Sequence, residues 1–140
     1  MVKVVLDTNA LVAAARSRRG ASFRVLSLVG TDAAFQLAVS VPLVLEYEMA
    51  LKRSTPLSDE DAEVIVDYIC KVADRRRIHF LWRPFLKDPA DEMVLEVAVE
   101  SEAEVIVTHN LRDFEGVEER FGIRVLTPGA FLDWLEAKDR

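Results

Sequence analysis

Two carboxylates in the sequence come shortly after apolar runs that are predicted to be buried strands. Asp7 comes straight after Val2–Leu6, and Asp113 follows Val105–Val107 by a few residues. A carboxylate at the end of a buried strand is costly unless it is hydrogen-bonded, paired or bound to a cation. Both positions therefore suit metal ligands, although Asp7 also suits a helix N-cap and Asp113 the start of a helical turn.

Two further acidic residues are predicted to lie on the inner faces of helices. Helical spacing places Glu46 on the face of Leu43 and Tyr47, and it places Asp91 on the face of Val94. A salt bridge to an arginine remains the alternative explanation for Glu46. The sequence thus predicts four acidic candidates, at positions 7, 46, 91 and 113.

The helix that contains Asp91 separates its acidic residues into two groups. Asp88 is the better N-cap, so capping does not require Asp91. Glu92, Glu96 and Glu100 are spaced four residues apart and are predicted to form a row that faces water.

Bringing the four candidates together creates a problem of like charge. Carboxylates within a few ångströms of one another would be forced to protonate in part. A divalent cation removes that conflict, and Mg²⁺ suits a site of oxygen ligands. Thr108 and Asn110 leave the end of the 105–107 run together with Asp113, and they add hydroxyl and amide oxygens.

Short apolar runs alternate with amphipathic ones along the chain. This alternation predicts one α/β domain over residues 1–140, a three-layer α/β/α fold with a mostly parallel sheet of about five strands. Function in such a sheet lies beyond the carboxyl ends of the strands. The predicted strands are Val2–Leu6, Phe35–Val41, Ile78–Trp82, Glu104–Val107 and Gly122–Leu126.

Helix boundaries are marked by capping residues. Ser58, followed by three acidic residues, and Thr127, followed by proline, are predicted N-caps. The run 75–77 is three arginines, and it is predicted to end a helix, where cations favour the dipole.

Composition excludes several classes of protein. The chain has 140 residues, a net charge of −6, one cysteine and two histidines, so disulfides and zinc clusters are not expected. Its five glycines form no phosphate-binding motif. An aspartyl phosphatase needs an acid where Asn9 stands, and a receiver-type phosphoacceptor needs an aspartate at the end of the third strand. No signal peptide or membrane span is predicted, so we expect a cytoplasmic protein.

The negative net charge predicts weak nonspecific binding to nucleic acid, but it does not exclude a nuclease whose site holds metal. Arg16, Arg18 and Arg19 form a basic loop after the first helix. Their charge suits them to bind RNA phosphates. The alternative interpretation is that they form a run of charges that faces water and binds nothing.

Four segments together resemble the PIN-domain family, in particular the PIN-type ribonuclease toxins of prokaryotic toxin–antitoxin systems. They are Leu6-Asp7-Thr8-Asn9, the helix around Glu46, Asp88-Pro89-Ala90-Asp91, and the segment from Val107 to Phe114. The Thr127-Pro128 ending fits as well, so the resemblance spans nearly the whole chain.

The resemblance implies a metal-dependent endoribonuclease that hydrolyses RNA phosphodiester bonds with a water activated by Mg²⁺ or Mn²⁺. It implies that Asp7 and Asp91 are the principal metal ligands, and that Glu46 and Asp113 complete the acidic pocket, Asp113 as a further ligand. Thr8, Asn9, Thr108 and Asn110 are expected to orient ligands, waters or substrate. A cognate antitoxin and a homodimer are the partners that it implies.

One departure from the family pattern leaves a second interpretation open. Many relatives have aspartate where this chain has Asn110. Asp113 then takes that role, or metal binds less tightly. The alternative function is a PIN scaffold that binds RNA or protein without cutting it.

Overall fold

The centre of the protein is a parallel sheet of five strands. In the computed structural model, which describes residues 1–31, 35–78 and 84–138, the strand order is β3-β2-β1-β4-β5 and every pair is parallel. Seven helices flank this sheet, which confirms the predicted three-layer α/β/α fold. The strands are β1 (Val2–Leu6), β2 (Phe35–Val39), β3 (Asp74–Arg75), β4 (Val105–Val107) and β5 (Arg124–Leu126).

Helices connect the strands, and the predicted caps start three of them. Ser58, Asp88 and Thr127 each accept a hydrogen bond from a backbone N–H in the first turn of the following helix, as the sequence predicts. The helices are α1 (Thr8–Arg16), α2 (Ala21–Leu28), α3 (Val41–Ser54), α4 (Asp59–Val72), α5 (Pro89–Glu100), α6 (Val117–Phe121) and α7 (Pro128–Lys138), and a 3₁₀ turn covers Leu111–Phe114. No helix in the described ranges is long and apolar enough to cross a membrane.

The order of the strands determines where a site can form. β1 lies between β2 and β4. After β1 the chain forms β2 and β3 on one side of β1, and it later forms β4 and β5 on the other side. Leu6 is paired with Val107, and the buried ends of β1 and β4 therefore stop side by side. The residues that follow them, Asp7 and Thr108, lie at the crevice where open α/β sheets bind ligands.

The third strand lies earlier in the sequence than predicted. It is the pair 74–75, whereas Ile78 belongs to no strand and residues 79–83 lie outside the described ranges. Lys3 of β1 and Arg76 both form ion pairs with Asp74, at 2.5 and 2.8 Å. Burial alone would raise the pKa of Asp74, but these two cations lower it below its usual value.

The same region corrects the prediction for the three arginines. α4 ends at Val72, so the run 75–77 does not end a helix and cannot act on its dipole. Arg75 instead pairs with Val39 of β2 in the sheet. The ion pair between Lys3 and Asp74 joins residues 71 positions apart, which local periodicity cannot reveal.

Glu92 is buried, whereas the spacing predicts a solvated position. Only 8% of the residue is exposed, and its Oε1 accepts hydrogen bonds from the backbone N–H groups of Leu86 at 2.9 Å and Phe85 at 3.0 Å. Glu96, one turn later, is half-buried, and burial together with the Glu92 charge raises its pKa. The incoming segment thus folds over the start of α5 and covers this part of the acidic row.

We expect Glu92→Leu to lower stability by about 1–3 kcal/mol, because two backbone donors lose a charged acceptor. Glu92→Gln is the matched control, since its amide oxygen can take the place of Oε1. Chemical denaturation of the three proteins measures the difference. Equal stability of the leucine variant and the parent would contradict the role given to this carboxylate.

Candidate active site

Asp7 is held in place by three hydrogen bonds at the junction of β1 and α1. Its backbone N–H donates to the carbonyl of Val107 at 2.8 Å, which joins the ends of β1 and β4. Its Oδ1 accepts from the Thr8 N–H at 2.8 Å, and its Oδ2 accepts from the Thr108 hydroxyl at 2.7 Å. Asp7 therefore caps α1, and it is also fixed from the neighbouring strand.

Thr108 carries a fully buried hydroxyl whose direction follows from its partners. The Asn110 N–H donates to Oγ1 at 3.0 Å, and the Asn9 amide nitrogen approaches it at 3.4 Å. Because these two groups point toward the oxygen, the hydroxyl donates its proton to the Asp7 carboxylate. This geometry is the one expected of a residue that orients a ligand.

Asn9 joins the two loops at this edge of the sheet. Its Oδ1 accepts from the backbone N–H of His109 at 3.1 Å, and its Nδ2 reaches Thr108. The side chain of Asn110 lies in an exposed position one residue further along. The start of α1 and the loop after β4 therefore form one hydrogen-bonded unit around Asp7.

An open cavity of about 610 Å³ adjoins this unit, and we call it the acidic cavity. One wall is α1 with Asp7 at its start and Arg16 at its end, and the others are Ser54 of α3 and the first turn of α5. Asp91, in that turn, is half-buried. The structure thus brings Asp7 and Asp91 together on the walls of one cavity.

Negative charge is concentrated around Asp7 and Asp91, whereas Arg16, which also lines the cavity, lies at the other end of α1. Burial and the charges of Asp7, Asp113 and Asp88 raise the pKa of Asp91 to about 7. Burial also raises the pKa of Asp7, although its hydrogen bonds with Thr108 and Thr8 oppose that effect. Within the described ranges, no salt bridge involves Asp7, Asp91 or Asp113.

The remaining two acidic candidates occupy different surroundings. Asp113 is exposed in the 3₁₀ turn after β4, and its charge acts on both Asp7 and Asp91. Glu46 is half-buried on α3. It is not among the described residues that line the acidic cavity, nor among the charges that raise those two pKa values.

The donor set of the acidic cavity fits Mg²⁺ or Mn²⁺. Among the described residues, no three His, Cys, Asp or Glu side chains are close enough together to form a complete metal cluster. Mg²⁺ commonly takes only one or two carboxylates and keeps several waters. Asp7 and Asp91 supply two carboxylates, and burial together with neighbouring aspartates disfavours their charged forms, which a bound cation would stabilise.

Sequence reasoning missed two contacts that support this region. The Tyr47 hydroxyl donates to the carbonyl of Leu6, the residue before Asp7, although the sequence suggests only packing at Tyr47. The His109 ring contacts the buried Ser22 hydroxyl at 2.5 Å, so its Nε2 is engaged by α2. No sequence signal identifies the second pair, because its members are 87 positions apart.

A sequence model of the PIN domain matches residues 3–112, and the chain therefore belongs to the PIN-domain family. The structure is similar to that of VapBC2 from Rickettsia felis bound to a DNA fragment from their promoter, with a TM-score of 0.59 and 15% identity over 89% of this chain and 97% of that one. It is also similar to VapBC-1 from nontypeable Haemophilus influenzae, with a TM-score of 0.56 and 13% identity over 91% and 99% of the two chains. No curated protein matches the sequence significantly.

The raised pKa of Asp91 predicts a pH-dependent stability in the absence of metal. Its folded value of about 7 lies above the ordinary 3.8, so the folded state keeps a proton that the unfolded state loses between these values. Stability should therefore fall as the pH rises from about 4 to about 7. Asp91→Asn removes this loss. In EDTA at pH 8 we expect it to stabilise the protein by about 1 kcal/mol, after allowance for solvent screening and for the lost helix-dipole contact.

Thermal unfolding in EDTA at pH 4 and pH 8 tests this expectation. The variant should unfold a few degrees above the parent at pH 8, and at no higher temperature at pH 4. The same difference at both pH values would show that the ionisation of Asp91 is not responsible.

Proposed function

We propose that this protein is a metal-dependent ribonuclease that hydrolyses RNA phosphodiester bonds in the acidic cavity. One observation carries the proposal: two carboxylates from different elements, Asp7 and Asp91, line one open cavity at the carboxyl end of β1, and burial together with nearby negative charge raises the pKa of both. Membership of the PIN-domain family and the donor set support it.

In this proposal Asp7 and Asp91 hold Mg²⁺ or Mn²⁺, and Asp113 assists from the 3₁₀ turn. The bound ion supplies an activated water and neutralises charge on the phosphate. Thr108 and the Thr8 N–H keep both oxygens of Asp7 in a fixed direction, which lowers the cost of organising the site. Asn9 holds the two loops in register around them. Glu46 contributes through water or a second ion, as the family resemblance implies.

The Tyr47 hydroxyl has a supporting part in this arrangement. It fixes the end of β1 from α3 by donating to the Leu6 carbonyl. Because Asp7 follows directly, the position of its carboxylate depends on that strand end. Tyr47 therefore acts on the chemistry through the backbone, not through contact with substrate.

Cleavage of a mixed-sequence RNA should require a divalent cation. We expect products with Mg²⁺ or Mn²⁺ and none with EDTA, and activity should return when the ion is added back. Separating the products on a denaturing gel measures this. Absence of cleavage with both ions, together with retained binding of the RNA, would support a non-catalytic PIN scaffold instead.

We also propose that the protein is the toxin of a toxin–antitoxin pair and that it forms a homodimer. Two VapBC structures share its fold, and the sequence resembles PIN-type toxins. A protein encoded beside it should co-purify with it and inhibit its cleavage of RNA by placing a basic residue among the carboxylates. If the adjacent gene product neither binds nor inhibits, the toxin assignment fails while the ribonuclease assignment stands.

A further inference from the structure

Arg16 lies at the end of the acidic cavity opposite Asp7. It is the last residue of α1, and Asp7 caps the first turn of the same helix. At about 1.5 Å per residue, the nine residues of α1 separate the backbone positions of Thr8 and Arg16 by about 12 Å. The cavity thus has a negative end with Asp7 and Asp91 and a positive end with Arg16.

The guanidinium of Arg16 is oriented by a hydrogen bond with the protein backbone. Its Nε donates to the carbonyl of Ser54 at 2.7 Å. That hydrogen bond does not involve the two terminal nitrogens of the guanidinium. These two nitrogens form the fork that binds phosphate in a bidentate manner. Within the described ranges no carboxylate forms a salt bridge with Arg16, and the residue is exposed.

We infer that Arg16 binds an RNA phosphate other than the one being cut, and so fixes the strand in the acidic cavity. The inference rests on the proposed function, because it assigns a second phosphate to the same substrate. A strand rises about 3.4 Å per nucleotide in a DNA duplex, and the spacing is larger in an extended single strand. A separation near 12 Å therefore corresponds to roughly two to four nucleotides, so the preferred substrate is an RNA strand and not a lone dinucleotide.

Neighbouring arginines provide an internal comparison. Arg18 and Arg19 lie two and three residues later, in the exposed loop that follows α1, and carry the same charge as Arg16. Of the described residues that line the acidic cavity, Arg16 is the only arginine. A general attraction for RNA should depend on all three arginines about equally, whereas a positioned phosphate contact should depend on Arg16.

Steady-state cleavage of a ten-residue single-stranded RNA of mixed sequence tests the inference, with Arg16→Gln compared with Arg18→Gln. We expect Arg16→Gln to raise KM about 10-fold, with kcat within about threefold of the parent, because a charge-assisted contact to bound substrate is lost. The slope of log(kcat/KM) against log salt should become shallower by about 0.7, the value for one phosphate contact on a single strand. Arg18→Gln should change KM by less than about twofold.

Two further measurements separate this role from a structural one. Arg16→Lys keeps the charge but loses the fork, so its salt slope should match the parent while its KM lies between those of the parent and Arg16→Gln. Thermal unfolding of all variants should agree within a few degrees. Equal effects of Arg16→Gln and Arg18→Gln, or a fall in unfolding temperature and kcat with an unchanged salt slope, would overturn the inference.

The parent protein shows which claim has failed. If it cleaves RNA and Arg16→Gln behaves like it, the inference alone is wrong. If the parent cleaves no RNA with Mg²⁺ or Mn²⁺, the proposed function is wrong and the phosphate assignment falls with it.

Discussion

Replacing Asp7 by asparagine is expected to reduce RNA cleavage by about 10³-fold or more while leaving the protein folded. The variant keeps the size of the side chain, and its amide oxygen can still accept from the Thr8 N–H. A neutral amide oxygen is, however, a far weaker metal ligand than a carboxylate. Asp91→Asn should have the same direction of effect, since Asp91 supplies the second carboxylate of the acidic cavity.

Stability and activity should move in opposite directions in the Asp7→Asn variant. Burial raises the pKa of Asp7, which means that the folded protein disfavours its charged form at neutral pH. The neutral variant should therefore be at least as stable as the parent in EDTA. Added Mg²⁺ should raise the unfolding temperature of the parent, because an ion that binds only the folded state stabilises it, and should raise that of the variant much less.

Asp88→Asn is the matched control for this experiment. Asp88 contributes negative charge to the same region, and it caps α5 by accepting from the Ala90 N–H. Asparagine caps helices about as well as aspartate, so this variant removes one nearby charge and leaves the helix intact. We expect its cleavage rate to stay within about threefold of the parent. Unimpaired cleavage by purified Asp7→Asn would remove Asp7 from the mechanism.

The position of Asp7 can be predicted from sequence because two local signals agree. A continuous apolar run predicts a buried strand, and the polar residues after it predict the start of a helix. In a parallel sheet this junction lies at the edge where ligands bind. The same reasoning predicts that Asp7 and Thr108 come close, provided that β1 and β4 are neighbours. The structure shows that they are, with Leu6 opposite Val107.

Features that depend on distant partners could not be predicted in this way. The third strand begins at Asp74, whose carboxylate forms ion pairs with Lys3 of β1 and with Arg76. Glu92 is buried because the N–H groups of residues 85 and 86 fold onto it. In both cases the prediction from local periodicity was wrong, because contacts with other segments of the chain are not part of a local pattern.

The acidic group illustrates the same limit within the site. Asp91 and Glu46 both satisfy the helical-face criterion, yet only Asp91 lines the acidic cavity among the described residues. The apolar face of a helix identifies the residues that point toward the rest of the protein. It does not identify which element each of these residues contacts. Glu46 therefore stays a prediction from family resemblance, whereas Asp91 has a structural reason to act with Asp7.

Thr108→Val is expected to lower cleavage by about 10–100-fold, although Thr108 need not touch RNA or metal. Valine preserves the shape of the buried side chain but removes the donor to Asp7 Oδ2. The Asp7 carboxylate then loses one of its two orienting contacts. The Asn110 N–H also loses its acceptor, so stability should fall by about 1–2 kcal/mol.

Thr108→Ser separates the hydroxyl from the methyl group. Serine keeps the donor to Asp7 and removes only a buried methyl, so its stability should fall by about 1 kcal/mol while its cleavage stays within about threefold of the parent. Initial rates at saturating and at limiting Mg²⁺ measure the effect. The valine variant should need more Mg²⁺ for half-maximal rate, because a misdirected Asp7 binds the ion less tightly. If serine and valine lose activity equally, packing at this position matters and the hydrogen bond to Asp7 does not.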